Sequence, residues 1–271
     1  MKNGQSLGGG ARGYSPLRIK NKNLLQKVKN TVIMNSILSK YEVYMKKGFT
    51  LAEVLITLGV IGVVAAMTLP TLIQKHANKV VETRLMKFYS AINQAIMLAE
   101  VDYGDRTYWY EKYDDLDTDI KGRPVTGKSD REKWFNKYLA PYMKITETKY
   151  DSDGFPIFYL ADGGSFMYMH QTGLADWLFY TSAPDKCRGK NGDRWTNMGV
   201  CAFFFNYYPN PVSKDIQYWA YLGRSFEPYK YNWDGTAESL VCNKSSQIYC
   251  GTYIQYNGWK IPDDYPFKVR Y

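Results

Sequence analysis

Glu53 stands near the start of a long apolar run, and its position asks for a chemical reason more strongly than any other in this sequence. The residues around it read Lys46-Lys47-Gly48-Phe49-Thr50-Leu51-Ala52-Glu53: a basic pair, a glycine, then a hydrophobic segment with one acid. A carboxylate inside a membrane-spanning segment costs roughly 2.5 to 3.5 kcal/mol on insertion scales, so it is seldom present without a partner or a function. Residues 54–69 carry no charge. Together with residues 49–52 they reach the ~20 residues needed to cross a bilayer once, and lysines on the cytoplasmic side would hold the orientation by the positive-inside rule.

Other chemistry is sparsely provided. The chain has no Gly-x-Ser-x-Gly, no P-loop and no His-Glu-x-x-His, and its two histidines, His76 and His170, argue against a nucleophile–base pair. It reads as the product of an enzyme's action rather than as an enzyme. Zinc is disfavoured, because there is no Cys-x-x-Cys and the histidines lack ligand spacing. Asp115-Leu116-Asp117-Thr118-Asp119 alternates acids like a calcium loop, but Ile120 stands where glycine is required and Thr126 where glutamate closes the loop. Asp151-Ser152-Asp153-Gly154 and Asn191-Gly192-Asp193 read as acidic turns. No cofactor is expected, with calcium left as the open alternative.

The order Lys-Lys-Gly-Phe-Thr-Leu-x-Glu resembles the signal of the type IV prepilin family, which includes type IV pilins and the pseudopilins of type II secretion. The resemblance implies that a membrane-embedded prepilin peptidase cuts between Gly48 and Phe49 and methylates the new amino terminus on Phe49. Glu53 is then fifth in the mature chain, and Pro70, twenty-second, falls where pilin helices commonly carry a proline. A signal peptide removed by the usual route fits less well, since the apolar run is too long and no small-x-small site follows it. A plain signal anchor explains the span but not the order of residues.

The physical reading agrees with the resemblance. A small residue before the cut lets the backbone enter a protease site. The freed amino group of Phe49 is a cation at the end of a hydrophobic helix, and Glu53, one turn away, is its counter-charge, within one subunit or between neighbours in a filament. Desolvated among packed helices, that pair is far stronger than in water, and it would set the axial register of assembly.

The formal charge of +9 does not indicate nucleic acid. Residues 1–48 hold ten basic residues and one acid, Glu42, whereas residues 49–271 hold 25 of each sign, so the mature chain is formally neutral. A leader of 48 residues is long. Either residues 1–48 form a true cytoplasmic leader or the start is assigned too early, with Met45 or Met34 the first residue; the second reading is favoured.

Beyond the span, Ile73, Ala77, Val81, Leu85, Phe88, Ile92, Ala95 and Ala99 recur at three- and four-residue steps, with Lys75, Lys79, Glu82 and Lys87 between them. The period predicts one helix from Thr50 to about Val101, spanning the membrane over 49–70 and packing on a head over its second half, with Pro70 bending or loosening it between the halves. Gly62 and Ala66 form a small-xxx-small pair that permits close helix approach. Residues 49–103 are thus read as helix and 104–271 as the head. In the head, Ser129 to Glu132 has the form of a capping box opening a short helix to about Met143. Phe155 to Leu160 and Ser165 to Met169 read as a hairpin across Asp162-Gly163-Gly164. Cys201 to Tyr208 reads as a strand, Ile216 to Leu222 as a short helix, and Tyr249 to Gln255 as late strand. The expected class is α+β, pilin-like: a long N-terminal helix packed on an antiparallel sheet. The ending Gly258-Trp259-Lys260-Ile261-Pro262-Asp263-Asp264-Tyr265-Pro266 also resembles the closing segment of some bacterial pseudopilin-like proteins.

Cys187, Cys201, Cys242 and Cys250 all lie in the head, which the topology places outside the cytoplasm, where disulfides persist. Four cysteines allow three connectivities, and the local one, Cys187–Cys201 with Cys242–Cys250, closes the shortest loops. The second pair would resemble the carboxy-terminal disulfide loop of many pilins.

The expected function is a structural subunit of a type IV pilus or a type II secretion pseudopilus, a minor one because its head is bulky. The implied partners are the prepilin peptidase, other pilin or pseudopilin subunits, the inner-membrane assembly platform with its ATPase, and the membrane. The implied location is the bacterial inner membrane, single-pass with the head outside the cytoplasm, then a periplasmic pseudopilus or an extracellular pilus. The alternative is a binding or adhesion module, at a filament tip or membrane-anchored, whose aromatic clusters Tyr108-Trp109-Tyr110 and Tyr229-Lys230-Tyr231-Asn232-Trp233 present stacking faces to a glycan or protein.

Overall fold

A computed structural model describes residues 48–109, 120, 125, 128, 130–152, 154–171, 174–189, 192–209 and 218–271; at 131, 168–171, 174 and 175 the description is of the backbone. Residues 1–47 of the expected leader, the acids at 115–119, Ser129 of the expected capping box and Ile216 of the expected short helix lie outside these residues.

Helix α1 spans Leu51–Tyr103. The chain divides into two compact units after Val63. In the first, α1 is exposed and mostly apolar, with Glu53 and Thr57 as its polar residues. In the second, α1 buries Ala77, Val81, Leu85, Phe88, Ile92, Ala95, Ile96 and Ala99, the stripe expected from period 3.6. Two expectations on this face change. Ile73 is exposed, and Glu82, read as part of the polar face, is buried, because it accepts the Ile261 N–H at 3.0 Å and Lys260 Nζ at 3.2 Å from the closing segment.

Among the described residues the sheet has six antiparallel strands in sequence order: β1 Ile145–Tyr150, β2 Pro156–Leu160, β3 Ser165–Gln171, β4 Leu174–Tyr180, β5 Ala202–Tyr207 and β6 Phe226–Pro228. The α+β, pilin-like arrangement of a long helix followed by an antiparallel sheet is therefore present. Helix α2, Asp130–Tyr138, precedes the sheet; a short helical turn, α3, Pro184–Cys187, and helix α4, Cys250–Tyr256, follow within the head.

Alternation along the strands gives the sheet two buried faces. Phe158, Phe166, Trp177, Phe179, Phe203, Phe205 and Phe226 share the core with α1, α2 and α4. Phe88 sits among four of these rings, stacked on Phe179 at 4.4 Å and edge-on to Phe205 and Phe226 at 5.2 and 5.7 Å. Burying such a cluster is a large apolar gain for the head. On the other face Ile157, Met167, Leu178 and Phe204 pack with Met198 and the Cys187–Cys201 disulfide. The Cys242–Cys250 bond packs against Gly199: a Cβ added there, where φ is +74°, would come within 2.8 Å of Cys250 Sγ, so only glycine fits both the backbone and the space.

The expected strand at Tyr249 to Gln255 is wrong. Residues 250–256 are α4, with Cys250, Gly251, Thr252 and Ile254 buried. The β-branched and aromatic composition favours strand, but the Cys242–Cys250 bond and the packing of Ile254 into the core override that weak propensity. Gly258 and Trp259, both at positive φ, end the helix, with the Trp259 N–H donating to the Ile254 carbonyl at 2.9 Å. The chain then returns along α1: Gln74 donates to the Val269 carbonyl at 3.2 Å, and the Tyr271 ring lies 5.8 Å from that of His76.

Candidate functional site

Gly48, Phe49 and Thr50 precede α1 and are exposed, Phe49 at 85%. A Cβ added at Gly48 meets nothing within 4 Å, so nothing inside the described chain requires a glycine there. Thr50 and Glu53 close a capping box. The Thr50 N–H and hydroxyl both donate to Glu53 Oε2 at 2.9 Å, and the Glu53 N–H donates to Thr50 Oγ1 at 3.2 Å. Two orphan donors at the helix start are satisfied reciprocally, and α1 begins at a defined residue. The signal for this was present as Thr-x-x-Glu, and Thr50 is the participant that reading Glu53 as a counter-charge alone overlooks. The carboxylate is thus held by Thr50, the second residue after Gly48.

Pro70 lies within α1, whose helical hydrogen-bonding pattern continues on both sides. Having no N–H, it leaves the Ala66 carbonyl without its usual donor. Gly59 and Gly62 also contact nothing that a Cβ would meet within 4 Å.

In the head, Cys187 bonds Cys201 and Cys242 bonds Cys250. Asp151 opens the expected turn, its carbonyl accepting the Gly154 N–H at 3.0 Å, and its side chain is buried, accepting the Phe155 N–H at 2.8 Å and pairing with the guanidinium groups of Arg188 and Arg194. Asp193 receives the Thr196 hydroxyl and the Trp195 N–H, the latter at 3.0 Å, and these bonds hold its carboxyl below the usual range. Among the described residues no group of three or more His, Cys, Asp or Glu is placed to hold a metal ion. Of the two aromatic clusters singled out in the sequence, Trp109 is core, stacked on Tyr138 at 4.9 Å, while Tyr108 is exposed and Tyr110 lies outside the described residues. Trp233 is buried, and Tyr229 and Tyr231 are half-buried.

Sequence reasoning missed a buried ionic network. Glu227 on β6, fully buried, accepts from Lys230 Nζ at 2.7 Å, Gln255 Nε2 at 3.0 Å and the Tyr89 hydroxyl at 2.8 Å. It thereby joins α1, β6 and α4. Burial pushes the Lys230 amine down and Glu227 opposes that shift, while burial and then the Glu227 charge push the Tyr89 hydroxyl up. Above the network lies a cleft of about 590 Å³, bounded by α4, the turn Trp219–Tyr221, Trp233 and Trp259.

The exposed Gly48–Phe49 bond, the capped acid and the apolar helix define the class of the protein. Residues 44–69 match the prokaryotic N-terminal methylation motif, the prepilin-type cleavage and methylation signal of type IV pilins and pseudopilins. With one helix among the described residues long and apolar enough to cross a membrane, this is a type IV pilin- or pseudopilin-like, membrane-anchored protein. Residues 71–269 match a second model, described as a family of unknown function (DUF6613), and the chain belongs to that family. No match is found among curated proteins or among solved structures.

Proposed function

We propose that this chain is a minor structural subunit of a type IV pilus or type II secretion pseudopilus. The prepilin peptidase cleaves it between Gly48 and Phe49 and methylates Phe49. The helix is then drawn from the inner membrane into a filament by the assembly platform and its ATPase, with the head outside the cytoplasm. The observation that carries this reading is the matched signal at the start of α1, with Glu53 capped by Thr50 at a defined helix start. Once Phe49 carries a free amino group, Glu53 has a cation within reach and exchanges a neutral partner for a charged one, in its own subunit or its neighbour. That pair stabilises assembly because it forms among packed apolar helices. The size of the head supports a minor role, since bulky heads pack poorly at every position of a filament. The role requires no bound cofactor and no catalytic group.

Mass spectrometry of the amino terminus, from cells with and without the peptidase, tests the first step. A methylated Phe49 that disappears without the peptidase is expected, and an intact leader in both strains would overturn the reading. Glu53→Leu is expected to leave cleavage intact while removing the chain from sheared or cross-linked filaments.

A second reading, a binding module displayed at a filament tip, is favoured by the aromatic cleft of the head and adds to the structural role.

A further inference from the structure

The cleft beside Glu227 is lined by two groups of rings. Trp219 and Trp233 lie 5.9 Å apart, and Tyr256 stands at 90° to Trp233 at 6.0 Å. Tyr89 and Trp259, 5.1 Å apart, form the other group. Trp219 and Tyr256 keep 38% and 52% of their surface exposed, although both are large enough to stabilise a core. Their neighbours hold the rings in place. The Trp219 indole N–H donates to the Trp233 carbonyl, the Trp233 indole N–H donates to the Thr236 carbonyl at 2.9 Å, and a Cβ added at Gly235 would come within 2.8 Å of the Trp219 ring. Gly235, at φ +89°, thus lets the backbone lie flat against an indole that remains open to solvent.

Among the described residues the charged side chains lining the cleft are Arg224 and Lys230, and both address the same carboxylate. Lys230 Nζ is 2.7 Å and Arg224 Nη1 3.6 Å from Glu227. Lys230 and Glu227 are buried, whereas the Arg224 side chain is 64% exposed. Among the described residues one carboxylate thus faces two cations, and the more exposed of these is Arg224. The volume is within the usual range for ligand pockets, ~300–1,000 Å³. The ring planes at the Trp219–Trp233 and Trp233–Tyr256 contacts are inclined at 36° and 90°, so they form no parallel slot for a flat nucleobase. Inclined ring faces suit a puckered ring with an apolar C–H face fringed by hydroxyls.

We propose that this cleft binds an acidic saccharide, with the sugar ring against Trp219 and Tyr256 and its carboxylate at Arg224. The proposal rests on the binding-module reading and names its ligand class. It is measured on the purified chain, so its failure is distinct from a failure of cleavage or assembly.

The test is titration of the full chain in lipid nanodiscs, free of sugar-based detergent, with trigalacturonic acid, neutral galactotriose and adenosine monophosphate. The readouts are tryptophan fluorescence and calorimetry. Saturable binding of trigalacturonic acid at millimolar concentration or below is expected. It should weaken at least about tenfold, equivalent to ~1.4 kcal/mol, in both Arg224→Ala and Tyr256→Ala. Arg224→Lys should retain part of the affinity, and Trp195→Ala, at a ring stacked on Phe204 in the other core cluster, should retain all of it. Near-ultraviolet circular dichroism checks that each variant is folded. No saturable response to trigalacturonic acid would overturn the proposal. So would equal affinity for galactotriose, tighter binding of the nucleotide, or affinity unchanged in both cleft variants.

Discussion

Lys230→Met removes the charge that faces the buried Glu227 while keeping most of the aliphatic stem. In the native chain Glu227 Oε2 receives Lys230 Nζ at 2.7 Å and Gln255 Nε2 at 3.0 Å, and Oε1 receives the Tyr89 hydroxyl at 2.8 Å. The variant leaves a fully buried carboxylate with two neutral donors and a mostly exposed guanidinium 3.6 Å away. Removing one partner of a buried pair costs about 3 to 5 kcal/mol. The remaining donors and Arg224 place the expected loss at the lower end, about 3 kcal/mol. Glu227→Gln, which strands a buried ammonium instead, is expected to be similarly destabilising. The double variant strands neither charge and should recover to within about 1 kcal/mol of the native chain, since replacing both partners of such a pair is often neutral. Urea unfolding of the purified chain in detergent, followed by tryptophan fluorescence, gives the three values by linear extrapolation. A loss below about 1 kcal/mol in Lys230→Met, or a double variant as destabilised as the sum of the singles, would refute the view that Glu227 is held by charge and joins α1, β6 and α4.

Asp176 gives a pH dependence. Burial raises its carboxyl to about 6, partly opposed by the Asn206 amide at 2.7 Å, against about 3.9 in an unfolded chain. The folded state therefore binds the proton more tightly, and this group's contribution to stability is full below about pH 4 and lost as pH rises through about 6. Asp176→Asn should raise stability at pH 7 by about 1 to 2 kcal/mol, after discounting for solvent at the half-exposed group. No gain is expected at pH 4, and a gain that persists there in pH-dependent melts would exclude titration as the cause. Replacing Cys187 and Cys201 by serine opens a sequence separation of 14 residues, and replacing Cys242 and Cys250 opens one of 8; the expected losses are about 3 and about 2.5 kcal/mol in the chain-entropy model. Denaturation with and without reductant reads both, and a larger loss for the shorter loop would mean that packing of Cys250 beneath Gly199 dominates over loop entropy.

What the sequence by itself determined lies where neighbours in the chain are neighbours in space. Lys-Lys-Gly-Phe-Thr-Leu-x-Glu is contiguous, its parts act within one or two helical turns, and the helix beyond it follows a period set by its own residues. Helix α2 and the β2–β3 hairpin across Gly163 were legible for the same reason. Strands β1 and β4 escaped notice: β1 is an edge strand with Thr146, Glu147 and Lys149 turned outward, and β4 is flanked by strands on both sides, so its LADWLFY run shows no clear alternation. The tertiary structure alone decided that residues 250–256 are helix, because a disulfide and core packing outweighed propensity. It alone brought Tyr89 of α1 to Glu227, Gln255 and Trp259, more than a hundred residues further along the chain. A buried ion network and an open cleft of rings depend on which surfaces meet when helix and sheet close on one core, and no local period or motif encodes that meeting.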